Sequence, residues 1–224
     1  MQKVFSIAID GPAGAGKSTV AKAVAAELGA SYLDTGAMYR TMGLYMAGRG
    51  ITRPERVAEA VNEPKIEVRF VGGDQRMILD GVDVTDRIRT PEASKLASSE
   101  SALAKVRERL VELQREIAKG HSVVMDGRDI GTHVLPDATL KIFLTASCEV
   151  RAKRRYDEMI AKGKEADYDQ VLADIIQRDY NDANRAVSPM RQAEDAVLVD
   201  SSNMNREEVI ETILTLAKER VALA

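Results

Sequence analysis

The sequence predicts an α/β protein: a five-stranded parallel sheet flanked by helices, with a small antiparallel insert and a short helical lid. Three observations predict it. Short apolar runs recur along the chain, long helical patterns separate them, and one strictly alternating segment breaks the rhythm. The runs lack polar alternation, as strands covered on both faces require.

In chain order, Val4–Ile9 is the first run. It is cut short by Asp10 and a glycine turn, so it reads as a strand and not as a signal peptide. A helical pattern covers Lys17–Leu28, and Tyr32-Leu33 is the second strand. Lys65–Val71 then alternates, with Ile66, Val68 and Phe70 on one side and Lys65, Glu67 and Arg69 on the other, the pattern of a half-exposed strand. Gly72-Gly73-Asp74 makes a turn, and Asp80-Gly81 between Met77–Leu79 and Val82–Val84 is a hairpin signal. Beyond this unit come a helix over Ala102–Ala118, strands at Val123-Val124-Met125 and Leu140–Leu144, and a helix over Glu149–Ile160. Ala161–Asp169 (Lys162, Gly163, Lys164, Glu165) is too polar for a core. Ala196–Val199 is the last strand. Arg206–Leu223 is the last helix, with Val209, Ile210, Ile213, Leu214 and Ala217 on one face. The expected division is one unit of 224 residues: a core of about 1–60, 87–150 and 186–224, an insert of about 61–86 and a lid of about 151–185. Inserted polar pieces around an α/β core often close over substrates.

Composition narrows the function classes. Lys and Arg number 32 against 35 Asp and Glu, a net charge of −3, which argues against a protein that coats nucleic acid. An anion site must then be built from local arginine clusters. Cys148 is alone, so no internal disulfide forms; with only His121 and His133 beside it, no Cys/His metal cluster is expected. No apolar run approaches the roughly 20 residues of a membrane span. The expectation is a cytoplasmic monomer.

The strongest motif is Gly11-Pro12-Ala13-Gly14-Ala15-Gly16-Lys17-Ser18, which satisfies G-x-x-x-x-G-K-[ST] between a strand and a helix. Its glycines permit the turns that aim backbone N–H groups at phosphate oxygens, and the helix N-terminus adds partial positive charge. Lys17 would bridge β- and γ-phosphates, and the Ser18 hydroxyl would ligate Mg²⁺. This is the loop of the P-loop NTPase fold. Asp126 ends the third strand at its carboxyl edge, where an acid can hold a Mg²⁺-bound water; Asp34 occupies an analogous place after the second strand.

Arginines indicate a second anion. Arg40 and Arg128 each follow a strand at the edge carrying the phosphate loop. Arg178, Asp182 and Arg185 are spaced i, i+4, i+7 along one helical stripe, and Arg151, Arg154 and Arg155 share another face. Forked guanidinium groups suit a phosphorylated acceptor and a phosphoryl transition state, which favours transfer over hydrolysis.

With these residues assembled, the chain resembles the bacterial cytidylate kinases, a P-loop nucleoside monophosphate kinase family, over nearly its whole length. The resemblance rests on Ile9-Asp10-Gly11 through Lys17-Ser18-Thr19, on Leu33-Asp34-Thr35-Gly36-Ala37-Met38-Tyr39-Arg40, and on Asp126-Gly127-Arg128-Asp129-Ile130-Gly131-Thr132. Lys141–Leu144, the Arg151–Arg155 group, and Arg178-Asp179 through Asp182, Arg185 and Pro189 also agree. The phosphate loop is common to many families; the other two strings are far narrower. Two positions depart from the usual pattern while keeping the chemistry. Thr35 stands where serine is frequent, and Ser18 where many monophosphate kinases have glycine.

The resemblance implies Mg²⁺-dependent transfer of a phosphoryl group from ATP to CMP or dCMP, giving ADP and CDP or dCDP. It implies ATP on Gly11–Thr19. Arg40, Arg128 and Arg185 would hold the CMP phosphate, Arg178 and Asp182 the ribose, and Thr35 and Tyr39 would line the pocket. Ser98, Arg107 and Asp129 match the base-reading positions: Ser98 and Asp129 can accept from the cytosine amine while Arg107 donates to its O2 and N3. Lys17, Arg128 and the lid arginines Arg151, Arg154 and Arg155 would surround the transferring group. The insert resembles the enlarged monophosphate-binding domain of this group. Two alternatives stand beside this reading. One is a kinase of UMP or AMP. The other, of a different class, is a P-loop nucleotide-dependent switch or binding module, for which no Asn-Lys-x-Asp guanine-reading string is present.

Overall fold

The computed structural model describes residues 4–223, leaving aside the side chains of Pro91, Ser98, Glu100 and Leu223. The chain opens with β1 (Ser6–Asp10), α1 (Lys17–Glu27), β2 (Ser31–Asp34), α2 (Thr35–Gly48) and α3 (Pro54–Ala60). The antiparallel strands β3 (Ile66–Val71), β4 (Asp74–Leu79) and β5 (Val82–Asp83) follow, then α4 (Pro91–Glu100) and α5 (Ala104–Ala118). Next are β6 (Val123–Gly127), a five-residue π-helical turn (Ile130–Val134), β7 (Leu140–Thr145), α6 (Cys148–Ala161), α7 (Tyr168–Asn184), β8 (Val197–Asp200) and α8 (Arg206–Leu223).

The five predicted runs form one parallel sheet in the order β2-β6-β1-β7-β8. Successive residues feed two cores. Ile7, Ile9, Val124, Ile142 and Leu144 pack with α1 and α8, whereas Ala8, Leu33, Val123 and Met125 pack with α2 and α5. Both faces are covered along β2, β6, β1 and β7, which is why those runs are unbroken in sequence, whereas the edge strand β8 leaves Leu198 exposed. Truncating a fully buried member such as Ile9 to alanine costs about 2–5 kcal/mol.

Because the strands are parallel and β1 is flanked by β6 and β7, their carboxyl ends meet at one edge. Register pairs Asp34 with Asp126 on one face of the sheet and Asp10 with Gly127 one step further, so Asp10 turns its carboxylate to the other face. The small sheet β3-β4-β5 forms as its alternation and turn residues require: Asp80 and Gly81 both take positive φ (50° and 82°). Its predicted inner face is only partly covered. Ile66 is buried and Val68 half-buried, but Phe70 near the hairpin tip is exposed, since that end extends past the core.

Helix α5 starts two residues later than its periodicity predicts. Ahead of it stands a separate helix, α4, which has Pro91 in its first turn and is capped by the Thr90 hydroxyl accepting from the Ala93 N–H at 3.1 Å.

Candidate active site

The phosphate loop connects β1 to α1 at the carboxyl edge. Gly11 crosses so close to β7 that a Cβ there would lie 2.0 Å from the Leu144 carbonyl oxygen, so only glycine fits. Gly16, at φ 89°, occupies the N-cap position of α1 without a side-chain cap, which leaves the first-turn amides open to a ligand. Lys17 is buried and folds back onto its own loop, its Nζ donating to the Pro12 carbonyl at 2.7 Å. Among the described residues no carboxylate lies within ion-pair distance of it. Burial, and then the nearby Arg128, hold its pKa well below the ordinary lysine value. Thr19 is exposed on the first turn of α1.

Beside the loop, Ser18 Oγ donates to Asp126 Oδ2 at 2.7 Å, and the Tyr32 hydroxyl donates to Asp126 Oδ1 at 3.1 Å. Thr35 Oγ1 donates to the Asp126 backbone carbonyl at 2.7 Å, joining α2 to β6. Burial, followed by repulsion from Asp34, raises the Asp126 pKa to about 6, and burial and Asp126 raise that of Tyr32.

The second-anion residues gather along the same edge. Asp34 caps α2 by accepting from the Ala37 N–H at 2.9 Å and pairs with Arg40 at 2.6 Å. Arg128 Nε donates to Asp182 on α7 at 2.8 Å. Arg107, fully buried on α5, pairs with Asp129 Oδ2, while Arg185 Nη2 reaches Asp129 Oδ1 at 3.1 Å. The Arg107 guanidinium lies 5.6 Å from the Tyr39 ring centre. Tyr39 is buried, and that burial pushes its hydroxyl up to about 12. Arg178 carries a buried Nε with no hydrogen-bond partner among the described residues; burial and Arg128 lower its pKa. Burial and Arg107 do the same to Arg185. Side chains from α2, α5, α7 and the segments that follow β6 and α7 thus meet over one strand edge; Arg185, expected on the helical stripe of Arg178 and Asp182, instead stands just past the end of α7 in extended backbone. The Ser98 side chain lies outside the described residues.

The three arginines of α6 separate. Arg151 is buried and makes four contacts, to the carbonyls of Ala146 and of Ala13 in the phosphate loop, to Cys148 Sγ and to Asp179 on α7 at 2.6 Å. Arg154 is committed to the turn before α8, donating to Ser201 Oγ and to the Ser201 and Met204 carbonyls. Arg155 is exposed beside Glu158, yet its charge acts on Arg178.

Three residues to which the sequence assigns no role also shape the site. Gln75 of β4 clamps the end of β2, accepting the Asp34 N–H at 2.6 Å and donating to the Asp34 carbonyl at 3.2 Å. Asp179 anchors Arg151. Asp10 takes two backbone amides beyond β6, at Ile130 and Gly131. A cue existed for Asp10 alone, an acid ending an otherwise apolar strand.

Comparison with known proteins follows the same outline. Residues 7–219 match the family model described as cytidylate kinase. Proteins named cytidylate kinase from Caldicellulosiruptor saccharolyticus and Mycobacterium leprae are 51% and 52% identical to this chain, each over 96% of both sequences. Among solved structures, a gluconokinase from Sinorhizobium meliloti superposes with a TM-score of 0.52 at 15% identity, covering 100% of this chain and 97% of that one. That last likeness is one of fold.

Proposed function

The chain belongs to the cytidylate kinase family, and from that premise we propose that it transfers the γ-phosphoryl group of ATP to CMP or dCMP. The observation that carries the reading is the placement of a buried Arg107–Asp129–Arg185 cluster on the same sheet edge as the Lys17 loop. In this reading Gly11–Thr19 cradle the triphosphate, and Arg40, Arg128 and Arg185 hold the acceptor phosphate. Arg178 and Asp182 hold the ribose, and Ser98, Arg107 and Asp129 read the base, with Thr35 and Tyr39 lining the pocket. Cytosine carries an amine that an anionic acceptor welcomes; uracil presents an oxygen there, which Asp129 repels.

The phosphate of the acceptor is already an anionic nucleophile, so no strong general base is needed. Catalysis is positioning together with stabilisation of the negative charge on the transferring group. Lys17, whose Nζ has only the Pro12 carbonyl to leave among the described residues, swings onto the donor phosphates. Arg128 releases part of its hold on Asp182 to meet the acceptor phosphate. Ser18 Oγ and the Asp126 carboxylate, 2.7 Å apart, are hard oxygen donors that fit Mg²⁺, the first as a ligand and the second through a water. When bound, Mg²⁺ supplies neutralisation of the donor phosphate oxygens. The polar segment between α6 and α7 closes as a lid and excludes water, carrying Arg155 toward the reacting group, where Arg151 already borders the phosphate loop through the Ala13 carbonyl. Arg154 joins them only by leaving Ser201 and Met204.

The same reading makes the protein a cytoplasmic monomer of pyrimidine nucleotide metabolism. Among the described residues, no helix is long and apolar enough to cross a membrane. A coupled assay of ADP release with CMP, dCMP, UMP, AMP or no acceptor tests the proposal. CMP and dCMP are expected to exceed UMP and AMP by at least about tenfold in kcat/KM. ADP release that no monophosphate accelerates would instead identify a nucleotide-dependent switch.

A further inference from the structure

Asp10 is a buried carboxylate to which the mechanism above gives no part. It ends β1, directly before Gly11, and its side chain crosses to the element after β6. Oδ1 accepts the Ile130 N–H at 2.8 Å, and Oδ2 accepts the Gly131 N–H at 2.7 Å. These two amides immediately follow Asp129 and open the π-helical turn, and the Asp129 side chain does not cap that turn itself. The anchor therefore comes from another strand. From the other side, Ile130 packs so tightly on Gly127 that a Cβ there would meet Ile130 Cδ1 at 2.6 Å. Asp129 is thus held by its neighbours on both flanks, while its carboxylate spans Arg107 and Arg185.

A buried acid kept only to close a turn is costly, because a neutral acceptor could do the same with less desolvation. Burial, partly offset by the two amides, brings the Asp10 pKa up to about 6, so it is ionised at neutral pH at a cost to the fold. Bidentate acceptance from consecutive amides is what an ionised carboxylate does and a neutral amide side chain does not, since only one of its two ends accepts.

We infer that Asp10 is a positioning residue for acceptor selection: by gripping the Ile130 and Gly131 amides it fixes the Asp129 carboxylate between Arg107 and Arg185, tying the strand that carries the phosphate loop to recognition of the base. The inference rests on the reading of Asp129 as the group that meets the cytosine amine.

The test compares Asp10→Asn, Asp129→Ala and the unmodified protein in steady-state kinetics with CMP, UMP and ATP. Asp10→Asn keeps the shape but turns an NH₂ group against one of the two amides. Its CMP-over-UMP ratio of kcat/KM is expected to fall at least about fivefold, through the KM for CMP, while the KM for ATP stays within about twofold. A merely structural role beside the phosphate loop would raise the KM values for CMP and ATP together and leave the ratio unchanged; that result overturns the inference. If Asp129→Ala lowers the ratio and Asp10→Asn does not, the inference falls and the base reading stands. If Asp129→Ala leaves the ratio unchanged, both fall. Should Asp10→Asn yield no folded protein, Asp10→Glu replaces it. Glutamate keeps the charge but moves the carboxylate by one methylene, and the same fall in the ratio at constant KM for ATP is expected.

Discussion

Around Asp129, cations already meet an anion: Arg107 and Arg185 share its carboxylate, although Arg107 keeps a buried Nε with no hydrogen-bond partner among the described residues, and the turn behind it is held by Asp10. Around Lys17, on the same sheet edge, cations crowd without such matching. Among the described residues Lys17 bonds only a carbonyl of its own loop and Arg178 has a buried Nε with no acceptor, and Arg128 depresses the pKa of both. The first region is assembled before anything binds; the second is a set of donors whose matching charge is to come from a polyanion. Selectivity suits the first kind of construction, because a fixed acceptor rejects the wrong base by leaving a buried group unpaired. Phosphoryl transfer suits the second, because the charge to be stabilised arrives with the substrates.

The contrast is broken most severely on the Lys17 side. Lys17→Ala is expected to lower kcat at least about a hundredfold, some 2.7 kcal/mol of transition-state stabilisation. Its melting temperature should not fall, since the lost group is a buried cation with no carboxylate within ion-pair distance among the described residues. A drop in stability would show that Lys17 holds the fold together.

On the matched side the same kind of deletion should act on the fold as well. Asp129→Ala leaves Arg107 and Arg185 buried without their partner, which costs about 3–5 kcal/mol. In a chain of this size that lowers the melting temperature by about 6 °C or more. Thermal denaturation at pH 7.5 checks it, and an unchanged midpoint would mean that the arginines find other acceptors.

Asp126 sharpens the contrast through pH. Its folded-state pKa of about 6 lies above the usual 3.8, so the folded protein binds this proton more tightly than the unfolded chain does. The stability it contributes is present below about pH 3.8 and is lost as pH rises through 6. Asp126→Asn is therefore expected to raise the melting temperature at pH 7.5, with the gain shrinking toward pH 4, while turnover falls because the acid beside Ser18 is gone. A gain that does not depend on pH would place its cause elsewhere.

The smallest effect is expected at Arg154, whose bonds go to Ser201 and Met204. Arg154→Ala should lower the melting temperature by about 2–4 °C, the loss of about 1 kcal/mol. A decrease in kcat as large as that of Lys17→Ala would show that it leaves this anchor during the reaction.

Much of this was legible in the amino-acid sequence, for identifiable reasons. Four of the five strands announce themselves because both sheet faces are covered there, and the loop of Gly11–Ser18 because its positive-φ glycines admit few substitutes. Residues after strands, Arg40 and Arg128, could be placed because a parallel sheet fixes which edge they reach. Arg107 and Ser98 could not. They sit on helices whose periodicity describes only an apolar stripe, and resemblance alone singled them out. Gln75 and Asp179 act between different elements, through a β4–β2 clamp and an α6–α7 bond, so no spacing within one element reveals them. The split among Arg151, Arg154 and Arg155 has the same origin: a shared helical face does not say which partner each long side chain finds.

The claim beneath all of this is that donor and acceptor nucleotides meet end to end over one strand edge. Its most direct test is the affinity, by titration calorimetry, of an adenosine and a cytidine joined 5′ to 5′ through five phosphates. A joined ligand is expected to bind at least about a hundredfold more tightly than ADP, because the second half binds at high effective concentration. An affinity no better than that of ADP would contradict the account, since the two sites would then be too far apart or wrongly oriented to be bridged.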